Sequence, residues 1–411
     1  MSPLLISATL PGSAAESSHG IFRRLDMFAD ALKMVSGSFD ALFYVPACID
    51  TRLDNTKRIK AVLCERWQTE VNLTLAHRSA ILATESSWNR YLRPALNFHH
   101  IPDYMETSGQ EQVRVLESCL QNNPEFIFVH RLRCMPPVLQ TRNKLPPVFL
   151  DMDDIEHVAF RRSIDMPPHW KTKWLLNLQV PAIMSGERRS LRLASKTFVC
   201  SATDKLELGK LDSSNSIEVI PNAARISESR PLTSAKRIMV LGQYGYEPNR
   251  IGVEFFIDNV WGLVKKELPE STLIVAGPEP EKIRHFKSPP PGVEFTGFVD
   301  DLDELYESIR VVVCPILSGG GTRVKLVEAA AYAKPIVSTT VGAEGLELKD
   351  DEHVLLRDSP EGIAKACIAL LTDDPLANRL ATASRIVAQD NYERHSVVEK
   401  IAAHLFRRSS S

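Results

Sequence analysis

Short apolar runs alternate with longer amphipathic stretches along this chain, and the whole series occurs twice. The first series contains LLISATL, FDALFYVP, FIFVH, PPVFLDMDD and KTFVCS, and the second contains RIMVLG, STLIVAG, VEFTGFV, VVVCPI and PIVSTT. Stretches such as GIFRRLDMFADALKMV and IGVEFFIDNVWGLVKKEL separate these runs and have the pattern of helices. Apolar strands that alternate with helices are typical of parallel sheets covered on both faces. The series therefore predicts two α/β domains of similar size.

The boundary between the two predicted domains falls in a polar stretch. Residues 223–234 contain a proline and several serines, and the strand pattern starts again directly after them. We therefore predict a first domain over 1–228 and a second over 229–390, and we expect 391–411 to form a C-terminal helix and tail that pack back on the first domain. A ligand bound between two such domains would meet the carboxyl ends of their strands.

Composition excludes several classes of function. The 411 residues include 49 Lys and Arg against 51 Asp and Glu, a formal net charge of −2, whereas nucleic-acid-binding proteins need a positive surplus. The seven cysteines are scattered and form no C-x-x-C pair, so we predict neither a disulfide framework nor a metal site. The N-terminal apolar stretch is short and lacks a basic flank, which favours a core strand over a signal peptide. We expect a cytoplasmic protein.

Three consecutive glycines, Gly319, Gly320 and Gly321, lie between the predicted strand RVVVCPI and the predicted helix TRVKLVEAAAYA. Glycine lets a ligand approach the backbone closely. The N-terminus of a helix presents free N–H groups and a partial positive charge, which together favour phosphate. With Thr322 as the expected N-cap of the helix, the turn predicts a binding site for an anion, most simply a diphosphate.

Charged residues follow the glycines at helical spacing. Arg323 offers a forked set of donors and Lys325 a point charge, and both suit a phosphate ligand. Glu328 lies one turn beyond Lys325, and two interpretations of it are open. It either accepts hydrogen bonds from sugar hydroxyls or forms a surface pair with Lys325, which would stabilise the helix by about 0.2–0.5 kcal/mol.

The segment PILSGGGTRVKLVEAAAYAKPIVSTTVGAEGL resembles the donor-binding segment of family 4 glycosyltransferases, which have the GT-B fold. VIPNAARI, VLGQYGYEPNRIGVEFFIDNVW, LIVAGPEP and VEFTGFVDDLDELYESIRVVVCP resemble further parts of the family, so the likeness covers nearly all of the second half. It implies two Rossmann-like domains that face a cleft, with the acceptor bound by the first and the donor by the second. It also implies a retaining transfer from a UDP- or GDP-sugar to a sugar, lipid-linked or other hydroxyl acceptor in polysaccharide, glycolipid or glycoconjugate assembly, with no cofactor besides the donor substrate.

Two departures from the family's pattern affect the expected site. Gly320 stands where the family commonly has the first of two glutamates, so that contact with the donor sugar is lost or made by backbone N–H groups. The stretch GQYGYEPNRIGVEFF lacks the lysine that often holds the diphosphate, and we expect Arg323 and Lys325 to replace it and to act in catalysis. Gly242, in the same stretch, is assigned to the donor site. The ribose-binding role carries over to Glu328 alone.

Two regions of the first domain are expected to contribute to the site. The loop PGSAAESSHGIFRR holds Gly12, His19 and Gly20, and the resemblance implies that it closes over phosphate or acceptor. His19 either hydrogen-bonds one of these or is a solvent-exposed loop residue. His130 ends the strand FIFVH, where the family often has an active-site histidine, and we predict a catalytic role for it. His157 is a weaker candidate.

The stretch DMDD contains an Asp-x-Asp pair, Asp151 and Asp153, that superficially resembles a metal motif. We instead expect it to end a strand and to cap a helix that starts near Ile155. Farther along the chain, Asn222 is expected to shape the connection between the domains.

Basic clusters raise the hypothesis of peripheral contact with the inner face of a membrane, since many enzymes of the resembling family use lipid-linked acceptors. These clusters are Arg23-Arg24, Arg161-Arg162, Arg188-Arg189 and HWKTKW at 169–174. Solvated helix faces that pair with the many acids are the favoured interpretation. For the protein as a whole, a retaining glycosyltransferase is the leading hypothesis. A GT-B epimerase or phosphorylase-like enzyme and a non-catalytic partner subunit with a degenerate site are the alternatives.

Overall fold

A computed structural model describes residues 2–12, 20–79, 89–214, 216–228, 231–319 and 321–406. The chain divides into two compact units. The first runs from the N-terminus to Ile220 and takes in the chain again from Val398, and the second is Pro221–Val397. The boundary predicted from sequence, residue 228, lies eight residues farther along the chain than Ile220.

The first unit contains a parallel sheet whose strand order is β3-β2-β1-β4-β5-β6-β7 in the described chain. The strands are β1 Leu4–Ser7, β2 Ser38–Val45, β3 Glu70–His77, β4 Ile127–His130, β5 Val148–Asp153, β6 Lys196–Val199 and β7 Ile217–Val219. The helices are α1 Gly20–Ser36, α2 Leu53–Trp67, α3 Asn89–Leu96, α4 Pro102–Met105, α5 Gln110–Leu120, α6 Met135–Gln140, α7 Glu156–Ile164, α8 Val180–Leu193 and α9 Ala202–Gly209.

All five apolar runs predicted in the first half contain a strand, but β3 and β7 were not predicted. Strand β3 is an edge strand in which exposed Glu70 and Asn72 alternate with buried Val71, so it contains no continuous apolar run. Strand β7 has three residues and forms the opposite edge. Central parallel strands are buried on both faces and are therefore easier to recognise than edge strands.

The second unit contains a second parallel sheet, with the order β10-β9-β8-β11-β12-β13 in the described chain. Its strands are β8 Arg237–Leu241, β9 Thr272–Ala276, β10 Val293–Gly297, β11 Val311–Cys314, β12 Ile336–Ser338 and β13 Leu355–Leu356. Its helices are α10 Glu247–Phe255, α11 Gly262–Glu267, α12 Leu302–Ser308, α13 Val324–Ala331, α14 Pro360–Thr372 and α15 Asp374–Tyr392, and a π-helical turn at Phe256–Trp261 joins α10 to α11.

Side chains on alternate positions of the second sheet enter two separate cores. Ile238 and Val240 pack with α10, α11 and α14 on one face. Met239 and Val312 pack with α12, α13 and α15 on the other. Successive residues of a strand point to opposite faces of its sheet, so helices on both faces bury the apolar strands.

The last helix, α16 Arg394–Phe406, begins in the second unit and continues into the first. In the first unit Lys400 Nζ donates a hydrogen bond to Val219 O over 2.9 Å. His404 Nδ1 lies 3.1 Å from Lys196 Nζ.

Across the described chain, no helix combines the length and apolar character needed to cross a bilayer.

Candidate functional site

In each sheet the strand order reverses beside the first strand of the unit. The reversal lies between β1 and β4 in the first sheet and between β8 and β11 in the second. Open α/β sheets bind ligands at the carboxyl ends of the strands at such a reversal. Gly319 and Gly321 follow β11 and Gly242 follows β8, while His130 ends β4 and Gly12 follows β1. These five sequence-predicted site residues therefore end or follow the strands that flank the two reversal points.

The turn between β11 and α13 has a backbone that only glycine adopts readily. Gly319 has φ +121° and Gly321 has φ +70°. A Cβ on Gly319 would lie 2.9 Å from Arg323 Nη2, 3.4 Å from the Tyr246 hydroxyl oxygen and 3.6 Å from Pro248 Cγ. The bare backbone at Gly319 thus leaves room for the Arg323 guanidinium beside it. Gly320 lies outside the described residues.

The prediction that Thr322 caps helix α13 is wrong. The helix begins at Val324, and Arg323 occupies the cap position without a side-chain capping bond. Thr322 is buried, and its Oγ1 accepts a hydrogen bond from Asn222 Nδ2 over 2.9 Å. A tertiary contact from Asn222 therefore engages the threonine hydroxyl, which would otherwise be available to cap the helix.

Two cations lie at the start of α13. Arg323 is buried, with 9% of its surface exposed, and Lys325 is half-buried. Lys325 Nζ donates a hydrogen bond to Asn249 Oδ1 over 2.7 Å, and Asn249 Nδ2 donates to Gln243 O over 2.9 Å. Burial lowers the pKa of Lys325, and the charge of Arg323 acts in the same direction. Lys325 thus brings its charge to the first turn of α10, the region in which the sequence lacks the expected lysine.

Glu328 lies on the same helix and is buried, with 7% of its surface exposed. The alternative of a solvent-exposed Lys325–Glu328 pair does not fit this arrangement, because Glu328 is not at the surface. Burying a carboxylate is costly unless it is hydrogen-bonded, and this burial sets Glu328 apart from an ordinary surface acid of a helix.

Gly242 packs tightly against its surroundings. A Cβ there would lie 3.0 Å from Asn249 Cγ, and a Cβ on Gly277 would overlap Gly242 O. Gly242 N donates to Ala276 O over 3.0 Å at the carboxyl end of β9. The ends of β8 and β9 are thus held close together, and Asn249, the partner of Lys325, packs directly on Gly242.

His130 lies at the reversal point of the first sheet and is 1% exposed. Its Nδ1 is 3.0 Å from Ser7 Oγ, and its Nε2 is 4.0 Å from Asp151 Oδ2. Among the described residues, Nε2 has no hydrogen-bond partner. Burial and then the charge of Arg131 lower the pKa of His130 to about 3. The imidazole is therefore neutral at physiological pH and can donate or accept a hydrogen bond.

A fully buried ion pair joins α1 to the end of β5. Arg24 Nη2 lies 2.6 Å from Asp151 Oδ1, both side chains are 0% exposed, and Arg24 Nε lies 3.6 Å from Asp153 Oδ1. Arg24 Nη1 also donates to Ile220 O over 2.9 Å. Arg24 is thus not part of a basic surface, which corrects both sequence interpretations of the cluster as far as Arg24 is concerned. No group of potential metal ligands is found among the described residues.

The DMDD stretch ends β5 as predicted, but it does not cap the next helix. Helix α7 begins at Glu156, with Ile155 at the cap position and no side-chain capping bond. Glu187 instead accepts the backbone N–H of His157 over 3.1 Å and lies 2.6 Å from His157 Nδ1. The interpretation of His157 as a site residue is weakened, because this buried pair with Glu187 occupies its Nδ1.

The glycine-rich loop of the first unit is only partly described. Gly12 is half-buried, Gly20 is the first residue of α1, and His19 lies outside the described residues. Sequence reasoning missed Asn249 and Tyr246 in the second unit and Ser7 in the first. Asn249 and Tyr246 lie in the GQYGYEPNR stretch, from which only Gly242 was assigned to the donor site.

Known proteins resemble this chain in part of its sequence and in its fold. Residues 235–373 match the family model described as glycosyl transferases group 1. The chain is 30% identical over 156 residues to a phosphatidyl-myo-inositol mannosyltransferase of Mycobacterium leprae. That match covers 36% of this chain and 40% of the mannosyltransferase, so the chain spans less than half the length of this curated relative.

Solved structures match the chain over nearly its whole length. Sucrose-phosphate synthase from Thermosynechococcus elongatus has a TM-score of 0.69 at 14% identity, covering 99% of this chain and 98% of its own. HepE from Anabaena in complex with UDP-glucose has a TM-score of 0.65 at 12% identity, covering 98% and 99%. TarM from S. aureus has a TM-score of 0.67 at 11% identity, covering 99% and 100% in a complex that includes UDP. Identities this low show the fold alone, and the prediction of two Rossmann-like domains is confirmed.

Proposed function

Because residues 235–373 match the family model of the group 1 glycosyl transferases and the whole chain has the GT-B fold, we propose that the protein transfers a sugar from a nucleoside diphosphate sugar to a hydroxyl acceptor. One observation supports this most directly. At the reversal point of the second sheet, a glycine turn with positive φ is followed by the buried Arg323 and by Lys325. Phosphate is the ligand class that a bare backbone beside two cations accommodates best.

The proposed donor site is assembled from the second unit. The diphosphate lies over Gly319–Gly321, where Arg323 can form a two-pronged contact and Lys325 a point contact. Glu328, buried one turn farther along α13, accepts hydrogen bonds from the ribose hydroxyls. The complexes of HepE with UDP-glucose and of TarM with UDP support a nucleotide-sugar donor. UDP and GDP are both candidates for the nucleotide.

The proposed chemistry is a retaining transfer in which the protein mainly positions its substrates. Negative charge grows on the leaving diphosphate as the bond to the sugar breaks, and Arg323 and Lys325 stabilise that charge. The diphosphate itself takes the proton of the acceptor hydroxyl. His130 is neutral, and in the tautomer that accepts at Nδ1 from Ser7 its free Nε2–H donates to a sugar hydroxyl. Orienting the two substrates supplies much of the remaining rate acceleration.

A thermal-shift screen of UDP, GDP, ADP and CMP tests the donor site first. A nucleotide at 100 times its dissociation constant adds about 2.7 kcal/mol of stability. For a unit of this size that corresponds to a melting-temperature increase of roughly 5–11 °C. We expect UDP or GDP to produce this increase. No increase with any of the nucleotides would contradict the proposal.

Variants at the cations then test the chemistry. Arg323→Ala should lower kcat for release of the nucleoside diphosphate from its sugar donor about 100–1000-fold, the effect of removing one donor to a developing negative charge. Lys365→Ala, which removes an exposed lysine of α14, is the matched control and should leave kcat unchanged. Equal activity of Arg323→Ala and the control would exclude the proposed role of Arg323.

A non-catalytic nucleotide-binding subunit is the second candidate. The observation in its favour is the glycine at position 320, where a contact with the donor sugar is expected. The two candidates differ in turnover. A nucleotide that binds tightly, combined with no release of diphosphate from UDP- or GDP-sugars with or without acceptor sugars, would favour the binding subunit.

The first unit also has an apolar surface with basic neighbours, which we propose contacts the cytoplasmic face of a membrane. This Trp-Leu surface consists of Leu92, Leu96, Trp170, Trp174 and Leu178, which are 43–86% exposed. Hydrogen bonds connect α3 to the 170–172 segment: the Tyr91 hydroxyl lies 3.0 Å from Thr172 Oγ1 and accepts from Trp170 Nε1 over 3.3 Å. Residues 89–98 and 161–178 include six Lys or Arg and one acid. Lys173 is buried, and the other five cations still outnumber the acid, which favours anionic lipids.

Sedimentation with vesicles tests this contact. The protein should bind vesicles of phosphatidylcholine and phosphatidylglycerol more strongly than vesicles of phosphatidylcholine alone. The double variant Trp170→Ser/Trp174→Ser should lose this binding, whereas Leu206→Ser, at an exposed leucine of α9 outside the surface, should retain it. Equal binding by the two variants would exclude the Trp-Leu surface as the contact.

A further inference from the structure

Two arginines outside the site described above share a single carboxylate. Arg78 Nη1 lies 3.4 Å from Glu106 Oε2, and Arg133 Nη2 donates to the same oxygen. The three side chains are 19%, 33% and 21% exposed for Arg78, Arg133 and Glu106, respectively. Water or a ligand can therefore reach the cluster, although most of its surface is covered.

This cluster lies at the carboxyl edge of the first sheet. Arg78 directly follows β3, and its guanidinium donates to Tyr44 O near the end of β2 over 3.0 Å and to Ala8 O just after β1. Arg133 follows His130, the last residue of β4, by three positions. Ligands of open α/β sheets bind along this edge, and it is the edge that also carries His130.

The charges of the cluster do not balance. Two guanidinium groups share one carboxylate, and burial together with the nearby charge of Arg133 lowers the pKa of Arg78. Arg133 Nε is buried and has no hydrogen-bond partner among the described residues. A buried donor without a partner is destabilising, so the cluster has both a surplus positive charge and a donor that a ligand could satisfy.

A purely structural role accounts for Arg78 but not for Arg133. Arg78 holds the ends of β1 and β2 through their carbonyl groups, which is a sufficient reason for its burial. The side chain of Arg133 contacts no strand-end carbonyl, and its only hydrogen bond to a described residue is the one to Glu106. Arg133 is therefore the residue whose position a ligand would explain.

We propose that Arg78 and Arg133 bind an anionic group of the acceptor substrate, a phosphate or a carboxylate. This inference rests on the proposed function, and it narrows the acceptor from any hydroxyl compound to one that carries an anion near its hydroxyl group. Guanidinium groups match phosphate and carboxylate oxygens in geometry as well as in charge. A sugar phosphate and the headgroup of a phospholipid with a free hydroxyl both supply this chemistry.

Calorimetric titration with inorganic phosphate tests the site, with and without saturating UDP or GDP to separate it from the glycine turn. Arg133→Gln should weaken phosphate binding about 10–100-fold in both conditions, the effect of losing hydrogen bonds to a charged group. Arg142→Gln, at an exposed arginine of the same unit, is the matched control and should bind as the wild type does. Nucleotide affinity and melting temperature should be unchanged in both variants.

The variant Glu106→Gln separates a binding site from a structural cluster. Removing the competing carboxylate should strengthen phosphate binding severalfold if Arg78 and Arg133 face a ligand. A structural cluster would instead lose stability without any gain in phosphate affinity. Unchanged phosphate affinity in Arg133→Gln, or a phosphate affinity that does not rise in Glu106→Gln, would overturn the proposal.

Transfer assays distinguish the two sources of the anion. A hexose phosphate is compared with the neutral hexose, and phosphatidylglycerol in vesicles with diacylglycerol in vesicles. We expect transfer to one anionic member of these pairs and a loss of that transfer in Arg133→Gln. Equal transfer to neutral and anionic members would overturn the inference. The phosphate titration does not depend on turnover. A protein that binds phosphate through Arg133 but transfers no sugar would therefore contradict the proposed function and not the anion site.

Discussion

The buried pair of Arg24 and Asp151 allows the most quantitative prediction. Both side chains are 0% exposed, and three hydrogen bonds of 2.6–3.0 Å join them. The variant Arg24→Met removes the cation, while the methionine side chain can still fill much of the space beside Phe28, over whose ring Arg24 lies at 5.3 Å. What remains is a carboxylate enclosed in the first unit without its main counter-charge.

The expected cost is large, because a stranded buried charge destabilises a protein by about 3–5 kcal/mol. At roughly 2–4 °C per kcal/mol for a unit of this size, the melting temperature should fall by roughly 6–20 °C. The matched control is Arg66→Met. Arg66 pairs with Asp26 at a similar 2.6 Å, but the two side chains are 19% and 16% exposed, and solvent can stabilise the remaining acid.

The assay is urea denaturation of the full chain for the wild type, Arg24→Met, Asp151→Leu and the double variant. The double variant should lose less stability than the sum of the two single variants, because removing both charges leaves neither stranded. The loss in free energy of unfolding caused by Arg24→Met should also become smaller as the pH falls from 7 to 5. Without Arg24, burial raises the pKa of Asp151 above its value in the unfolded chain, so the folded state takes up a proton first and gains stability at low pH.

Three results would refute this reasoning. The first is a cost for Arg24→Met below about 1 kcal/mol, the range of an exposed pair. The second is a double variant whose loss of stability equals the sum of the losses in the two single variants. The third is a loss of stability in Arg24→Met that does not change with pH, since a buried carboxylate without its counter-charge must gain stability when it is protonated.

Three further predictions concern the second unit. Burial lowers the pKa of Lys325, so the affinity for UDP or GDP, measured by calorimetry, should be highest below that pKa and should fall as the pH rises through it. The variant Lys325→Arg should keep its nucleotide affinity to higher pH. A wild-type affinity that stays constant up to the pKa of a free lysine would contradict this prediction. Glu328→Gln should weaken binding of the free nucleoside and of its diphosphate alike, about 10–100-fold, because the proposed contact is to the ribose; an effect on the diphosphate alone would place Glu328 elsewhere. Gly277→Ala should lower the free energy of unfolding by more than about 1–3 kcal/mol, since its φ is +126° and its Cβ would overlap Gly242 O; a melting temperature equal to that of the wild type would contradict this.

The architecture was predictable from sequence wherever burial determines the residue pattern. The central strands β4 and β11 are apolar throughout and were found from the runs FIFVH and VVVCPI. The edge strand β3 alternates polar and apolar residues, and the two-residue β13 is too short to form a pattern. Their placement depends on pairing with a neighbouring strand, which local sequence does not determine.

The candidate site was predictable only in part, because several of its contacts join distant residues. Lys325 and the glycines were found from local spacing, but Asn249, which accepts the Lys325 hydrogen bond, lies 76 residues earlier. Arg24 has the pattern of a charged helix face, and only its contact with Asp151, 127 residues away, accounts for its burial. The predicted cap of α13 was wrong for the same reason, because the hydrogen bond from Asn222 to Thr322 joins residues 100 positions apart in the sequence.

The central claim is that the turn at Gly319–Gly321, with Arg323 and Lys325, binds the diphosphate of a nucleotide sugar. A crystal structure of the protein with bound UDP or GDP tests it most directly. We predict that the diphosphate oxygens lie over the turn, about 2.7–3.1 Å from the Arg323 guanidinium and the Lys325 ammonium. A nucleotide bound elsewhere, with the backbone of the turn covered by side chains, would contradict the account.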